Sequence, residues 1–248
     1  MKPRRGVYIL PSLFTTGNVF CGFYAFIEVL NERYYIAAWA IVIAIIFDGL
    51  DGRVARLTKT TSAFGMQYDS LSDIISFGMA PAFLAYSWVL KPFGRIGWMA
   101  AFLFLLCGAL RLARFNVTKS DEEGDNFIGL PIPAAAAFIA SIVIAFEDLF
   151  ASQMNPAIMV GVVYILAFLM VSNIRYPALK KLEFKKRVSF ARFLFVILAL
   201  YVFASIPRVA LFMVSFTYMM LGPLGIIYRK WGKKKESLET SPVPPSEY

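Results

Sequence analysis

The sequence contains no histidine. That absence removes the usual neutral-pH base, every imidazole metal ligand, and all Ser-His or Cys-His nucleophilic machinery. Cysteine is nearly as scarce: the chain has two, Cys21 and Cys107, both inside apolar stretches. They read as buried free thiols, not as a disulfide or a thiolate metal site. Charge is thin as well, with Asp, Glu, Lys and Arg making up 17% of the 248 residues, where soluble domains carry about a quarter. Acidic side chains are the scarcer sign, 16 against 25 basic. Any chemistry here must run on carboxylates, cations and hydroxyls.

What is abundant is apolar surface. Hydrophobic residues make up 59% of the chain and aromatics 16%, and the mean hydropathy is +0.65. Repeated runs long enough to cross ~30 Å of hydrocarbon predict an all-α integral membrane protein, a polytopic helical bundle. The alternative, a soluble helical protein with a large core, does not need runs of that length. Eight spans are predicted, at 12–30, 34–57, 62–90, 95–117, 130–149, 155–173, 189–206 and 208–228. Only "SIPR" separates the last two, so Pro207 also allows one long kinked helix there. No cleavable signal peptide is expected, because the first apolar run carries Thr15, Thr16 and Asn18 and has no small-residue cleavage site behind it. The sequence shows no internal repeat.

Loop charge sets the orientation. With the N-terminus in the cytoplasm, 21 of the 25 Lys and Arg fall on cytoplasmic segments, leaving Arg33, Lys91, Arg95 and Arg208 elsewhere. The positive-inside rule then places both termini in the cytoplasm. The net charge of +9 reads as orientation plus attraction to anionic membrane lipids, and no nucleic-acid partner is expected. The predicted organisation is a six-span core over 1–175, a basic cytoplasmic loop over 176–188 and a C-terminal hairpin over 189–228. A basic, then polar and Pro-rich, disordered tail follows over 229–248.

Four aspartates interrupt this apolar pattern, at 48, 51, 69 and 73. The run before Asp48, "IAAWAIVIAIIF", has 12 residues, or ~18 Å as helix, too short to span the hydrocarbon. The helix must continue through "DGLDGRVAR", which leaves Asp48 and Asp51 about two turns inside its cytoplasmic end. If the next helix begins near Ser62, Asp69 and Asp73 lie ~10–17 Å along it, at a similar depth. Spacings of three and four residues put each pair on one helix face. Gly52 and Ala55 share the first face, and Gly65 precedes Asp69 by one turn; small residues there let a second backbone or a ligand approach. Unpaired carboxylates at this spacing repel. A pairing with Arg53 or Arg56 that merely holds helices together is the plain alternative, but ionisable residues inside membranes are functional by default. An all-oxygen set without Cys or His selects a hard divalent ion, Mg²⁺ or Mn²⁺, with Ca²⁺ also admitted. A metal beside Arg56 suggests a diphosphate ligand.

The stretch reads Asp48-x₂-Asp51-Gly52-x₂-Ala55-Arg56-x₈-Gly65-x₃-Asp69-x₃-Asp73. It resembles, without departure, the signature of the CDP-alcohol phosphatidyltransferases. "PSLFTTGN" (11–18), "YDSLSDIISFGMAPA" (68–82), "LRLARFNV" (110–117) and "FIGLPIPAAA" (127–136) are similar to the phosphatidylserine synthase branch, and the likeness covers about the first 175 residues. It implies transfer of a phosphatidyl group from CDP-diacylglycerol or a related CDP-lipid to L-serine, releasing CMP, by a multi-pass cell-membrane enzyme whose site faces the cytoplasm. Carried over by residue, Asp48, Asp51, Asp69 and Asp73 resemble metal ligands, with Asp73 also the general base. Gly52, Ala55, Arg56 and Gly65 resemble the cradle of the cytidine diphosphate, with Thr15 and Asn18 at its nucleotide end. The family also implies a homodimer.

The acceptor site is read from residue chemistry. Arg111 and Arg114, three apart near a cytoplasmic helix end, suit a bidentate grip on the serine carboxylate, though interfacial arginines also simply obey the positive-inside rule. Ser76 and Asn116 are weaker acceptor candidates, since polar residues often only bridge helices. "GLPIP" (129–133) breaks a helix start and shapes the pocket. Glycerol 3-phosphate and inositol phosphate are rival acceptors; their dianionic phosphates ask for more cations than two arginines. An archaeal-type ether lipid is a rival donor. A cation transporter, the distant alternative, predicts carboxylates spread through the membrane depth instead of gathered at one level.

Overall fold

The computed structural model describes residues 9–58, 62–118, 126–149, 154–177 and 205–239. Helices α1 (Ile9–Leu30) and α2 (Tyr34–Leu57) form a tight hairpin. Its turn is a Schellman closure: Glu32 adopts φ 59°, the Arg33 N–H donates to the Glu28 carbonyl and the Glu32 N–H to that of Val29, which satisfies carbonyls a helix end leaves open. An Arg33–Glu28 ion pair at 2.9 Å adds to it. Ala25, Ala37, Ala38, Ala40 and Ala44 are buried along these helices, and side chains that small let the two backbones approach closely.

The third span runs without a break from Ala63 to Phe93. It starts as α3 (Ala63–Asp73), capped where the Gly65 N–H donates to Ser62 Oγ at 3.0 Å. The predicted regular helix then departs from plan. A π-helical stretch (Ile74–Met79) leads into α4 (Ala80–Ala85), and a second (Tyr86–Leu90) leads into a 3₁₀ turn (Lys91–Phe93). Pro81 and Pro92 lie just beyond the two wide stretches. Proline has no N–H to give, and its ring collides with the carbonyl four residues back in a regular helix; widening the preceding turn relieves that clash.

Helix α5 (Arg95–Thr118) returns, and α6 (Ile132–Leu149) and α7 (Pro156–Val171) follow. A short antiparallel ribbon, β1 (Asn126–Ile128) with β2 (Arg175–Pro177), was not expected from the sequence; it pairs Phe127 with Tyr176. It ties the segment before α6 to the one after α7. Gly129, at φ 78°, makes the turn beside it, donating its N–H to the Ile174 carbonyl at 2.8 Å. A side chain at Gly129 would run into the Met170 carbonyl.

The last helix, α8 (Pro207–Glu239), opens on a proline, as suits a position whose N–H has no partner within the helix. It passes the expected end at 228 and continues to Glu239. The disordered tail expected from 229 is thus corrected for 229–239, where Lys, Glu and Leu are good helix formers. Residues 240–248 and the predicted span at 189–206 lie outside the described residues.

Among the described residues, five helices are long and apolar enough to cross a membrane: α1, α2, the 63–93 span, α5 and the first part of α8. The α6 and α7 helices are shorter, 18 and 16 residues. The outside of the bundle carries large exposed apolar side chains, such as Phe20 at 66%, Phe102 at 55% and Phe168 at 72% exposure. Such surface is a liability in water and ordinary against lipid. The chain is an all-α membrane protein.

Candidate active site

The acidic residues meet where the end of α2 faces the start of the third span. Asp48 and Asp51 share one face of α2 and Asp69 comes from α3; one carboxylate oxygen of each lies within 4.8 Å of the others. Asp51 is buried and Asp48 and Asp69 half-buried. Asp73, one turn beyond Asp69, is 8% exposed and lies within hydrogen-bonding reach of Asp48. Its Oδ1 has no hydrogen-bond partner among the described residues. The spacings of three and four therefore do what they predict: two helix faces are turned toward each other, and all four carboxylates gather at one level.

Helix α1 packs against both acid-bearing elements. Thr15, expected at the nucleotide end, donates its Oγ1 to Asp51 Oδ2 at 3.0 Å. Ser72 Oγ donates to the Thr15 carbonyl at 3.3 Å, and Ser76 Oγ to the Asn18 carbonyl at 2.9 Å. Ser76 is thus a helix bridge. It sits against Gly22, where a methyl group would run into the Ser76 backbone. Asn18 is fully buried, yet neither its Oδ1 nor its Nδ2 has a partner among the described residues. On the opposite wall Gly52 leaves open space, with nothing within 4 Å of where a Cβ would be. Ala55 and Gly65 are half-buried nearby in sequence. The Arg56 backbone is helical; its side chain is outside the described residues.

The two arginines of α5 part company. Arg111 is 6% exposed, lies within electrostatic reach of Asp73 and sets its guanidinium 5.6 Å from the Phe115 ring centroid. Its Nε lacks a partner among the described residues. Arg114 has both terminal nitrogens engaged elsewhere. It donates to the carbonyls of Ile128, Met170, Val171 and Ser172 and to Asn173 Oδ1, at 3.0–3.4 Å. That closes the C-terminal end of α7, where free carbonyls and the helix dipole favour a cation. Both terminal nitrogens of Arg114 thus bond to the end of α7 and the turn beside it, while Arg111 lies on the Asp73 side. Asn116 Nδ2 donates to Ser70 Oγ at 2.9 Å, an exposed bridge between α5 and α3.

The family model of CDP-alcohol phosphatidyltransferases matches residues 8–171. The chain belongs to that family. It is 42% identical over 187 residues, 75% of this chain and 79% of the relative, to a Helicobacter pylori protein named CDP-diacylglycerol–serine O-phosphatidyltransferase. A Bacillus subtilis protein of the same name is 34% identical over 172 residues, 69% of this chain and 92% of the relative. An archaetidylserine synthase of Methanothermobacter thermautotrophicus is 41% identical over 171 residues, 68% of this chain and 69% of the relative. The protein is a membrane-bound transferase of the CDP-alcohol phosphatidyltransferase family.

The acid cluster of this transferase fits a hard divalent cation. Bond lengths of ~2.1 Å for Mg²⁺ and ~2.4 Å for Ca²⁺ put opposite ligand oxygens ~4.2–4.8 Å apart, and the three carboxylates fall within that span. The donor set is all oxygen, and buried like charges at this spacing need a counter-charge. Sequence reasoning found every carboxylate but missed the contacts that brace them. Thr15 on Asp51, Ser72 on α1, and Tyr68, whose hydroxyl is 3.1 Å from Thr16 Oγ1, are hydroxyls on apolar helices. Their only sequence signal is polarity within a greasy run.

Proposed function

We propose that this enzyme transfers a phosphatidyl group from a CDP-lipid, CDP-diacylglycerol or its ether-linked counterpart, to the hydroxyl of L-serine and releases CMP. The observation that carries the reading is the convergence of Asp48, Asp51 and Asp69 beside a buried Asp73 and a buried Arg111. The relatives named for serine transfer support the acceptor; the family match supports the reaction class.

In this reading Asp48, Asp51 and Asp69 hold a Mg²⁺ or Mn²⁺ ion, with Asp73 as a shared ligand. When bound, the ion stabilises charge on the diphosphate and on the leaving CMP. Thr15 fixes the rotamer of Asp51. The buried Asn18 amide binds the nucleotide end, since an unmatched amide in the core is costly. Gly52, Ala55 and Gly65 leave the diphosphate room against the helices, and Arg56 binds its charge. Asp73 accepts the proton of the serine hydroxyl as that oxygen bonds to phosphorus and the bond from phosphorus to the CMP oxygen breaks. Arg111 takes the serine carboxylate. The site faces the cytoplasm at the cell membrane, a reading that the distribution of basic residues supports, on a core over 1–175 that works as a homodimer.

Purified protein with Mn²⁺ and CDP-diacylglycerol should release CMP when serine is added. Release with glycerol 3-phosphate or inositol phosphate but not serine would overturn the acceptor, and cation flux without CMP release would favour a transporter. A parallel series with an ether-linked CDP-lipid separates the two donors.

A further inference from the structure

The outward side of the third span does not repeat as a regular helix would. Leu71, Ile75, Met79 and Phe83 are exposed or half-buried at a spacing of four, and apart from Ile74 every residue between them is buried. A regular helix, at 3.6 residues per turn, would carry Phe83 about 120° away from Leu71. Taking up one extra residue in a wide turn between them cuts that angle to about 20°. The π-helical stretch Ile74–Met79 is that turn: the Ala80 N–H donates to the Ile75 carbonyl, five residues back. The opposite side obeys the same spacing. It runs Asp69, Asp73, Phe77, Pro81 and Ala85, all buried from Asp73 onward.

We propose that the wide turn directly after Asp73 is a positioning device for the carboxylates; this rests on the metal reading above. It absorbs one residue, so that Asp69 and Asp73 face the acids of α2 while the rest of the span stays packed in the core. Ser76 and Pro81 are then positioning residues of the reaction, acting through Asp69 and Asp73. Phe77 and Ala85 are fully buried, which fixes the core half of the span. Closing the turn against that fixed half would swing the acids about 100° round the helix axis, off the face that meets Asp48 and Asp51.

The surroundings hold the turn open. On one side α1 comes into backbone contact with it: Ser76 Oγ donates to the Asn18 carbonyl at 2.9 Å, and a methyl group on Gly22 would strike the Ser76 backbone. On the other, Leu105 of α5 and Ile132 of α6 lie within 4 Å of where a Cβ on Gly78 would be. Pro81 blocks the regular alternative from within, because it has no N–H for the Phe77 carbonyl and its ring takes that space.

The test changes the residue count. In a Pro81→Ala background, which supplies the N–H of a regular helix, Met79 is deleted or one alanine is inserted after it. Met79 is 49% exposed, so neither change removes a core side chain. Mn²⁺ binding by the full-length protein is followed by electron paramagnetic resonance, with the thermal midpoint alongside. The span already carries one residue more than a regular helix needs, so it can lose one and keep both faces. The deletion should leave the Mn²⁺ dissociation constant within about threefold of the parent and the thermal midpoint close to parental. An added residue has no turn left to absorb it; by rotating the acids it should weaken Mn²⁺ binding more than about hundredfold. In a regular helix the two changes would rotate the acids equally, in opposite senses, and do equal harm. A deletion variant that fails to fold, or that loses Mn²⁺ as the insertion does, overturns the proposal. So does an insertion variant that binds Mn²⁺ like the parent. A parent protein that binds no Mn²⁺ overturns the metal reading itself, and this assignment with it.

Discussion

Replacing Thr15 by valine tests whether the acid cluster is a braced metal site. Valine keeps the shape of the threonine and removes only the hydroxyl that donates to Asp51 Oδ2 at 3.0 Å. Thr15 is 4% exposed, so water cannot readily replace that donor. The Ser72 hydroxyl bonds to the Thr15 backbone carbonyl and survives the change, which keeps the α1–α3 packing intact. A hydrogen bond to a charged acceptor contributes ~1.5–3 kcal/mol, equivalent to ~tenfold to hundredfold in an equilibrium constant. Loss of a group that orients a metal ligand falls in the same range. The half-saturating Mn²⁺ concentration for CMP release, at saturating CDP-diacylglycerol and serine, should rise by that factor. Direct Mn²⁺ binding followed by electron paramagnetic resonance should weaken in parallel, and Thr15→Ser should stay close to the parent. A valine variant with unchanged Mn²⁺ dependence would refute the bracing role. So would a serine variant that loses as much as the valine one, because it retains the hydroxyl.

Other consequences are as direct. Stripping the enzyme with excess EDTA should abolish CMP release and Mn²⁺ should restore it; full activity after verified metal removal would rule out the metal site. Asp73→Asn should eliminate turnover while CDP-lipid binding, measured by equilibrium dialysis, persists; turnover within a few-fold of the parent would leave Asp73 a ligand only. Arg111→Gln should raise the serine KM roughly tenfold to hundredfold, the cost of one charge-assisted bond. Arg114→Gln should instead lower the thermal midpoint, because it strips four backbone carbonyls and Asn173 of a donor. A serine-specific defect from Arg114→Gln at parental stability would reverse that division.

Much was legible in the chain before any fold was known. Hydropathy and run length determine a membrane bundle, because lipid leaves backbone polar groups no partner except within helices. Two carboxylate pairs at spacings of three and four, each a short way inside a predicted helix end, determine which faces must turn toward each other. Glycine at 52 beside them predicts room against the helix, and nothing lies within 4 Å of where its Cβ would be. These readings depend on local geometry, which helical periodicity transmits directly from sequence.

Long-range pairing has no such periodicity, and only the tertiary structure decided it. The β1–β2 ribbon joins residues 126–128 to 175–177 across two intervening helices. Arg111 and Arg114 look equivalent in sequence, three residues apart on one helix face. Yet the packing of α7 and the turn at Gly129 bring five oxygens to Arg114 and leave Arg111 beside Asp73. Charge and spacing could nominate these residues, but which of them lies on the side of the acids and which closes a helix end is decided by the neighbours the fold supplies.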